Sequence, residues 1–233
     1  MRIEQPTIQG TFLRRYKRFF TDVKLEDGTV VTAHCPNTGS LKGCLEEGRK
    51  VVLRDMASPA RKLRYVFQSI QVGKHWVNVD TGLPNEATYE HVVAGLIPEL
   101  AGYAEAKREV KYGENSRIDL LLTGAKGDKC WVEVKNTTYA VERSAAFPDA
   151  VTERGLKHLG ELARQVQLGD RAVQFFFVSR NDVERFRPAD EVDPEYATAL
   201  RKAAKVGVEI LAYAHEIRPT SHTLSRKLPV DLG

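Results

Sequence analysis

The sequence predicts two domains, a small all-β barrel of the OB type followed by an α/β domain with a mixed central sheet. Short apolar-rich runs divided by turn signals fill the first 80 residues, and helical periodicity is almost missing there. Beyond residue 82, helix-spaced and strand-like runs alternate instead.

The first runs are Gly10 to Leu13, Thr21 to Leu25 and Thr29 to His34, with Asp27-Gly28 marking a hairpin between the last two. Others follow at Lys50 to Arg54, Tyr65 to Val72 and His75 to Val79. Composition and periodicity change at Asp80 to Pro84, which places the domains at 1–81 and 82–217. Residues 218–233, with Pro219 and Pro229, form an extended or partly disordered tail. The second domain opens with a helix over Glu86 to Gly95, N-capped by Asn85, with Tyr89, Val92, Val93 and Leu96 at helical spacing. Strands follow at Ala106 to Lys111, Ser116 to Leu122 and Lys129 to Thr137, joined by turns at Gly113 to Asn115 and Gly124 to Asp128. A helix at Thr152 to Leu168, a strand at Val173 to Ser179, a helix at Pro194 to Lys205 and a strand at Val208 to Tyr213 complete the order αβββαβαβ.

The 233 residues are 42% hydrophobic and 28% charged, a globular composition with length enough for a buried core. Cys35, Cys44 and Cys130 cannot all pair, and the N-terminus does not read as a secretory leader, which points to a reduced cytoplasmic compartment. No apolar run approaches the roughly 20 residues that span a bilayer, so no membrane partner is expected. Nothing in the sequence supports a homo-oligomer. Met1 to Asp80 holds 14 Lys and Arg against 8 Asp and Glu, a net of +6, which leaves −2 of the overall +4 for the remainder. A basic first domain suits a polyanionic partner.

Arg117-Ile118-Asp119-Leu120-Leu121-Leu122 and Cys130-Trp131-Val132-Glu133-Val134-Lys135 are adjacent apolar strands, yet each holds a carboxylate in its interior. A buried carboxylate needs a cation, a hydrogen-bonding shell or an open rim. In a hairpin Asp119 and Glu133 come opposite one another, and alternation puts Lys135 on the side of Glu133. Two such oxygen ligands hold Mg²⁺ or Mn²⁺ and leave positions for water and a phosphate oxygen, while the lysine orients the water. Glu90 adds a third metal-binding carboxylate if its helix packs beside the hairpin, with Glu86 the weaker candidate. Glu-x-Lys alone is uninformative, since it recurs at Glu105 to Lys107 and Glu109 to Lys111. The competing reading is an Asp, Glu and Lys satisfying one another at a sheet rim.

Arg14-Arg15-Tyr16-Lys17-Arg18-Phe19-Phe20 interleaves cations with aromatics, which suits phosphate contacts and base stacking, or a solvated strand end with core phenylalanines. Pro36 to Ser40 is a turn cluster that could hold a phosphate or simply reverse the chain. His34, Cys35 and Cys44 lack the spacing and fourth ligand of a zinc site. Trp131 reads as core.

The succession helix, three-stranded meander, helix, strand, with acids on the second and third strands, resembles the PD-(D/E)xK nuclease core. Over nearly its whole length the chain is also similar to the sugar fermentation stimulation protein A (SfsA) family. The stretches that carry this are 34–40, Leu83-Pro84-Asn85, 109–113, Ser116-Arg117-Ile118-Asp119, 132–136 and 147–155. The resemblance implies an OB-like domain, a nuclease-like domain, and DNA binding without marked sequence preference. The family name points to control of sugar use, maltose in particular. The nuclease pattern falls on Asp119, Glu133 and Lys135 as catalytic residues, with Ile118 where the motif expects proline. In nuclease-like folds the helix after the third strand lies near the scissile phosphate, which makes Arg154, Lys157 and His158 candidate DNA contacts; a solvated polar face is the alternative. Two functions follow: a Mg²⁺-dependent deoxyribonuclease, or a non-catalytic DNA-binding regulator of sugar metabolism that keeps a nuclease scaffold. RNA processing stays open.

Overall fold

Five strands with alternating apolar residues close on themselves: β1 (Thr7–Tyr16), β2 (Phe20–Leu25), β3 (Val30–His34), β4 (Lys50–Asp55) and β5 (Tyr65–Val72). Antiparallel pairs β1–β2, β2–β3, β1–β4 and β4–β5 are completed by a parallel contact of β3 with β5 at His34 and Val66, so the ring has no free edge. Phe12, Val23, Ala33, Val51, Leu53, Phe67 and Ile70 fill it. The hairpin expected at Asp27-Gly28 is present, and Gly28 takes the positive φ of +86° that its turn requires. The computed structural model describes residues 3–58, 61–112 and 116–233. The turn expected at Gly113 to Asn115 lies outside them.

Strand β6 (His75–Asn78) leaves the barrel, pairing with β5 along one side and meeting the second domain through Trp76 and Ile217. The second domain contains α1 (Gly82–Val93), β7 (Glu105–Tyr112), β8 (Ser116–Thr123), β9 (Lys129–Thr137), β10 (Ala140–Val141), β11 (Ser144–Phe147), α2 (Glu153–Gln167), β12 (Arg171–Val178), β13 (Arg185–Pro188), α3 (Pro194–Lys205), β14 (Glu209–Arg218) and β15 (Ser221–Lys227). Its sheet runs β14-β12-β9-β8-β7, parallel across the first three strands and antiparallel across the last three, which makes it mixed. Helices α2 and α3 cover one face over Phe176, and α1 covers the other over Phe175 and Phe177. Burial on both faces explains the apolar run 175–178 of β12, which Gln174 precedes. A small sheet of β10, β11 and β13, not legible in the sequence, lies apart and positions the segment that follows β11.

Two expectations need correction. Helix α1 begins at Gly82, with Thr81 at its N-cap, so Asn85 is inside the first turn. It buries Pro84, Ala87, Thr88, His91 and Val92, whereas Val93 and Leu96 are 62% and 52% exposed. The covered face is small and polar, and the apolar spacing pointed elsewhere. Residues 218–233 are ordered: β15 pairs with β14, Leu228 is buried, and Val230 bridges to Phe186. The partners of this segment are distant in sequence, which hid the strand. Cys35, Cys44 and Cys130 are free and buried. Among the described residues no helix is long and apolar enough to cross a membrane.

Candidate functional site

The β8–β9 ladder runs to Leu120 and Val132, and the next residues toward the open end are Asp119 and Glu133. There a side chain replaces the main chain as acceptor: Asp119 Oδ2 takes the Val134 N–H at 2.7 Å. Its Oδ1 accepts from the Asn85 side-chain amide at 2.6 Å. Asn85 reaches it because α1 starts early and crosses β8.

Glu133 is 2% exposed. Its Oε1 accepts from Lys135 Nζ at 2.6 Å and from His158 Nδ1, while Oε2 is buried with no hydrogen-bond partner among the described residues. Arg154 Nε lies 3.4 Å from His158 Nε2, which fits Nε2 as the accepting nitrogen and Nδ1–H as the donor to Glu133. Both residues are set by the start of α2, where the Thr152 hydroxyl accepts the Gly155 N–H at 3.1 Å. Gly155 has no room for a side chain: an added Cβ would lie 2.9 Å from the Tyr196 ring and 2.8 Å from Thr152.

The two carboxylates are shifted in opposite directions. Burial, together with the neighbouring charge of Glu133, pushes Asp119 up to about 7, against the opposing pull of the Val134 N–H and Lys135. Burial also opposes ionisation of Glu133, but the His158 bond and the Lys135 charge outweigh it and hold that carboxyl below its ordinary value.

The site opens into a cleft of about 580 Å³ between the domains. Asp119, Glu133, Lys135 and Asn85 form one wall, and Arg18 with Asn37, Thr38 and Gly39 of the barrel forms the other. The walls are joined through Asp149, whose Oδ2 accepts the Leu41 N–H at 2.7 Å and whose carbonyl accepts from the Ser40 hydroxyl. The 36–40 turn thus serves as a domain contact. A second hollow of about 510 Å³ shares Asn85, Asp119 and Arg154 with the cleft and adds Arg117, Lys157 and Glu109.

The basic stretch divides by role. Arg15 is scaffolding: its guanidinium donates to the carbonyls of Arg18, Asn37 and Gly39 at 2.9, 2.6 and 2.8 Å. Arg14 pairs with Asp22 at 2.8 Å and lies 5.2 Å over the Tyr16 ring. Lys17 and Arg18 turn the chain with φ of 49° and 62°, and Arg18 lines the cleft. Lys157 lies 3.8 Å from Glu161 and lines the adjoining hollow.

Glu90 is not brought to this pair. It lines a separate cavity with Glu86, Arg54, Asp80 and Arg108, where burial and Glu86 raise its carboxyl. Five residues on a helix turn about 140°, so when Asn85 faces Asp119, Glu90 faces away. His158 is 3% exposed and bound to Glu133, so it braces that carboxylate, and it also lines the adjoining hollow. Asn85 and Asp149 were missed as site residues. Asn85 gave no separate signal, because its reading as a helix N-cap already accounted for it.

Two carboxylates are the hard oxygen donors that Mg²⁺, Mn²⁺ or Ca²⁺ take, and the orphaned Glu133 Oε2 beside a raised Asp119 is an environment that a cation would relieve. These residues fit a divalent ion. Among the described residues no three His, Cys, Asp or Glu side chains converge on one, so water or phosphate would complete its shell.

Residues 13–79 match the SfsA N-terminal OB domain, and residues 82–221 match the sugar fermentation stimulation protein RE domain. The sugar fermentation stimulation protein homolog of Geobacter sulfurreducens is 48% identical over 233 residues, covering 100% of both chains. That of Maricaulis maris is 49% identical over 234 residues, again covering 100% of both. A solved structure of Pyrococcus furiosus SfsA in complex with Ca²⁺ is similar with a TM-score of 0.89 and 30% identity, covering 99% of this chain and 98% of that one.

Proposed function

The chain belongs to the sugar fermentation stimulation protein (SfsA) family, and from that premise we propose a DNA-binding protein, largely indifferent to sequence, whose interdomain cleft is a divalent-metal-dependent phosphodiesterase site. The observation that carries this is the placement of Asp119 and Glu133 next to the point where β8 and β9 stop pairing, with Lys135 2.6 Å from Glu133, in the lining of a cleft that Arg18 and Arg154 share.

Asp119 and Glu133 would hold the ion. When bound, Mg²⁺ or Mn²⁺ polarises the phosphodiester and lowers the pKa of a coordinated water. Asn85 fixes the Asp119 carboxylate, and His158 fixes that of Glu133. Lys135 is placed to orient the attacking water or steady charge developing on phosphate, and Arg18 and Arg154 supply phosphate contacts from opposite walls. The Ca²⁺ of the Pyrococcus furiosus relative supports an oxygen-ligated divalent ion here. The free cysteines accord with a reduced cytoplasm.

The second reading is a non-catalytic DNA-binding regulator of sugar metabolism. It is favoured by one feature: Glu133 Oε1 is already engaged by Lys135 and His158. Incubating plasmid and single-stranded DNA with Mg²⁺ or Mn²⁺, against Asp119→Ala, separates the two. Cleavage that Asp119→Ala abolishes supports the phosphodiesterase. DNA retarded in gels equally by both proteins, with no cutting in any metal, supports the regulator.

A further inference from the structure

The cavity that Glu90 lines is a second space between the domains, of about 310 Å³, and it shares no residue with the cleft. The barrel contributes Arg54 and Gln68 to its lining. The second domain contributes Leu83, Glu86 and Glu90 of α1 and Arg108 of β7. We propose that this cavity binds a short organic diamine, with one ammonium at Glu86 and Glu90 and the other at Gln68 and Asp80. The proposal is independent of what the cleft does.

Gln68 marks one end. It is 2% exposed, and its amide nitrogen donates to the Pro219 carbonyl at 3.4 Å, which leaves Oε1 buried with no hydrogen-bond partner among the described residues. A buried acceptor left unpaired costs stability, and a donor placed in the cavity removes that cost. Asp80, 4% exposed, accepts the Gly82 N–H at 2.9 Å and binds the Arg54 guanidinium, and its oxygens keep lone pairs for a further donor.

Glu86 and Glu90 mark the other end. They stand one helical turn apart, where like charges repel, and neither carboxylate has a hydrogen bond or ion pair among the described residues. Burial and the charge of Glu86 raise the Glu90 carboxyl, an effect that a bound cation would reverse.

Charge selects a dication. Among the described lining residues the carboxylates of Glu4, Asp80, Glu86 and Glu90 outnumber the guanidiniums of Arg54 and Arg108 by two. Both guanidiniums are engaged, Arg54 by Asp80 and Arg108 over the Tyr89 ring at 5.7 Å. His222, lowered to about 4 by burial, adds no charge at neutral pH. No three His, Cys, Asp or Glu side chains among the described residues converge on a point, so the acceptors suit two separated ammonium groups better than one metal ion. Ile3 and Leu83 offer apolar surface to the methylenes between them. The volume is that of a small-molecule site.

The test is calorimetric titration of the full chain with 1,4-diaminobutane, and separately with butylamine and MgCl₂. One diamine per chain is expected, with a Kd below about 1 mM and butylamine roughly tenfold weaker. Glu86→Gln and Glu90→Gln combined should weaken the diamine roughly tenfold, and Asp119→Ala should leave it unchanged. Replacing two carboxylates that repel one another should not unfold α1, which circular dichroism checks. Absence of diamine binding overturns the proposal, as does butylamine binding equally well or an affinity that the Glu86 and Glu90 variant keeps. Loss of binding in Asp119→Ala would put the amine in the cleft. Mg²⁺ binding that only the Glu86 and Glu90 variant abolishes, and that the diamine does not displace, would make the cavity a metal site instead. No DNA enters these titrations, so their failure leaves the phosphodiesterase reading untouched.

Discussion

The side-chain amide of Asn85 donates to Asp119 Oδ1 at 2.6 Å and so ties the first turn of α1 to a carboxylate in the middle of β8, next to the point where its pairing with β9 stops. Asp119 is held from two sides, by this amide and by the Val134 N–H, so both set the direction of its carboxylate in the proposed metal site. Asn85→Ala should weaken Mn²⁺ or Ca²⁺ binding by about 10- to 100-fold, the usual effect of losing a group that orients a metal ligand. Calorimetric titration of the ion against both proteins measures this. Wild-type affinity in the variant would show that Val134 alone suffices.

Arg15 ties three carbonyls of the barrel rim. Arg15→Ala should cost about 1–2 kcal/mol in urea unfolding, because the part-buried Asn37 and Gly39 carbonyls lose a charged donor. Arg15→Lys should recover little of it, since an ammonium cannot reproduce the planar fork. Full recovery by lysine would reduce the role of Arg15 to its charge.

At Gly39, Gly39→Ala should destabilise the chain by about 1–3 kcal/mol through overpacking. The new methyl would meet Asp149 Oδ1 at 2.6 Å and Asn37 Oδ1 at 2.9 Å, and Asp149 is pinned by Leu41. An unchanged unfolding midpoint would mean that the loop and Asp149 separate freely.

Stability should fall in acid through three buried histidines. His91 stacks on His215 at 5.4 Å and meets His222 edge-on at 6.1 Å, and each is under 4% exposed. Burial lowers His91 and His222 to about 4 and His215 in the same direction. The unfolded chain, with histidines near 6.5, then binds more protons below that pH than the native state does. This stability is fully present above about pH 6.5 and is lost as pH falls toward about 4. Asp119, raised to about 7, acts oppositely over part of the window, because the native state there holds a proton that the unfolded state has released. The check is therefore a difference: the urea midpoint of His91→Gln should fall less than that of the wild type between about pH 7.5 and about pH 5. Parallel pH dependence in the two proteins would rule the histidine out.

Legibility followed the range of the interactions. Strand β5 (Tyr65–Val72), strand β9 (Lys129–Thr137) and helix α3 (Pro194–Lys205) coincide with the sequence expectation, because alternation, helical spacing and turn residues are local signals. Strands β10, β11 and β13 escaped notice: they run from two to four residues, and β11, which pairs locally with β10, meets β13 only across a long sequence interval. In the site, Asp119, Glu133 and Lys135 stood out because polar groups inside apolar strands demand an explanation. Asn85 and Asp149 did not stand out, since an amide and an acid in loop-like or turn-like contexts need none.

What the sequence determined by itself is the inventory: a barrel, a mixed-sheet domain and two strand carboxylates followed by a lysine. Each is written in spacing that the backbone period imposes. The tertiary structure decided the partners. It turned Glu90 away and brought Asn85 in, made His158 a brace and Arg15 a clamp, and set the barrel rim across from the carboxylates. Those outcomes depend on where α1 begins, how helices lie on the sheet and how two domains meet, which are packing choices made between residues far apart in the chain.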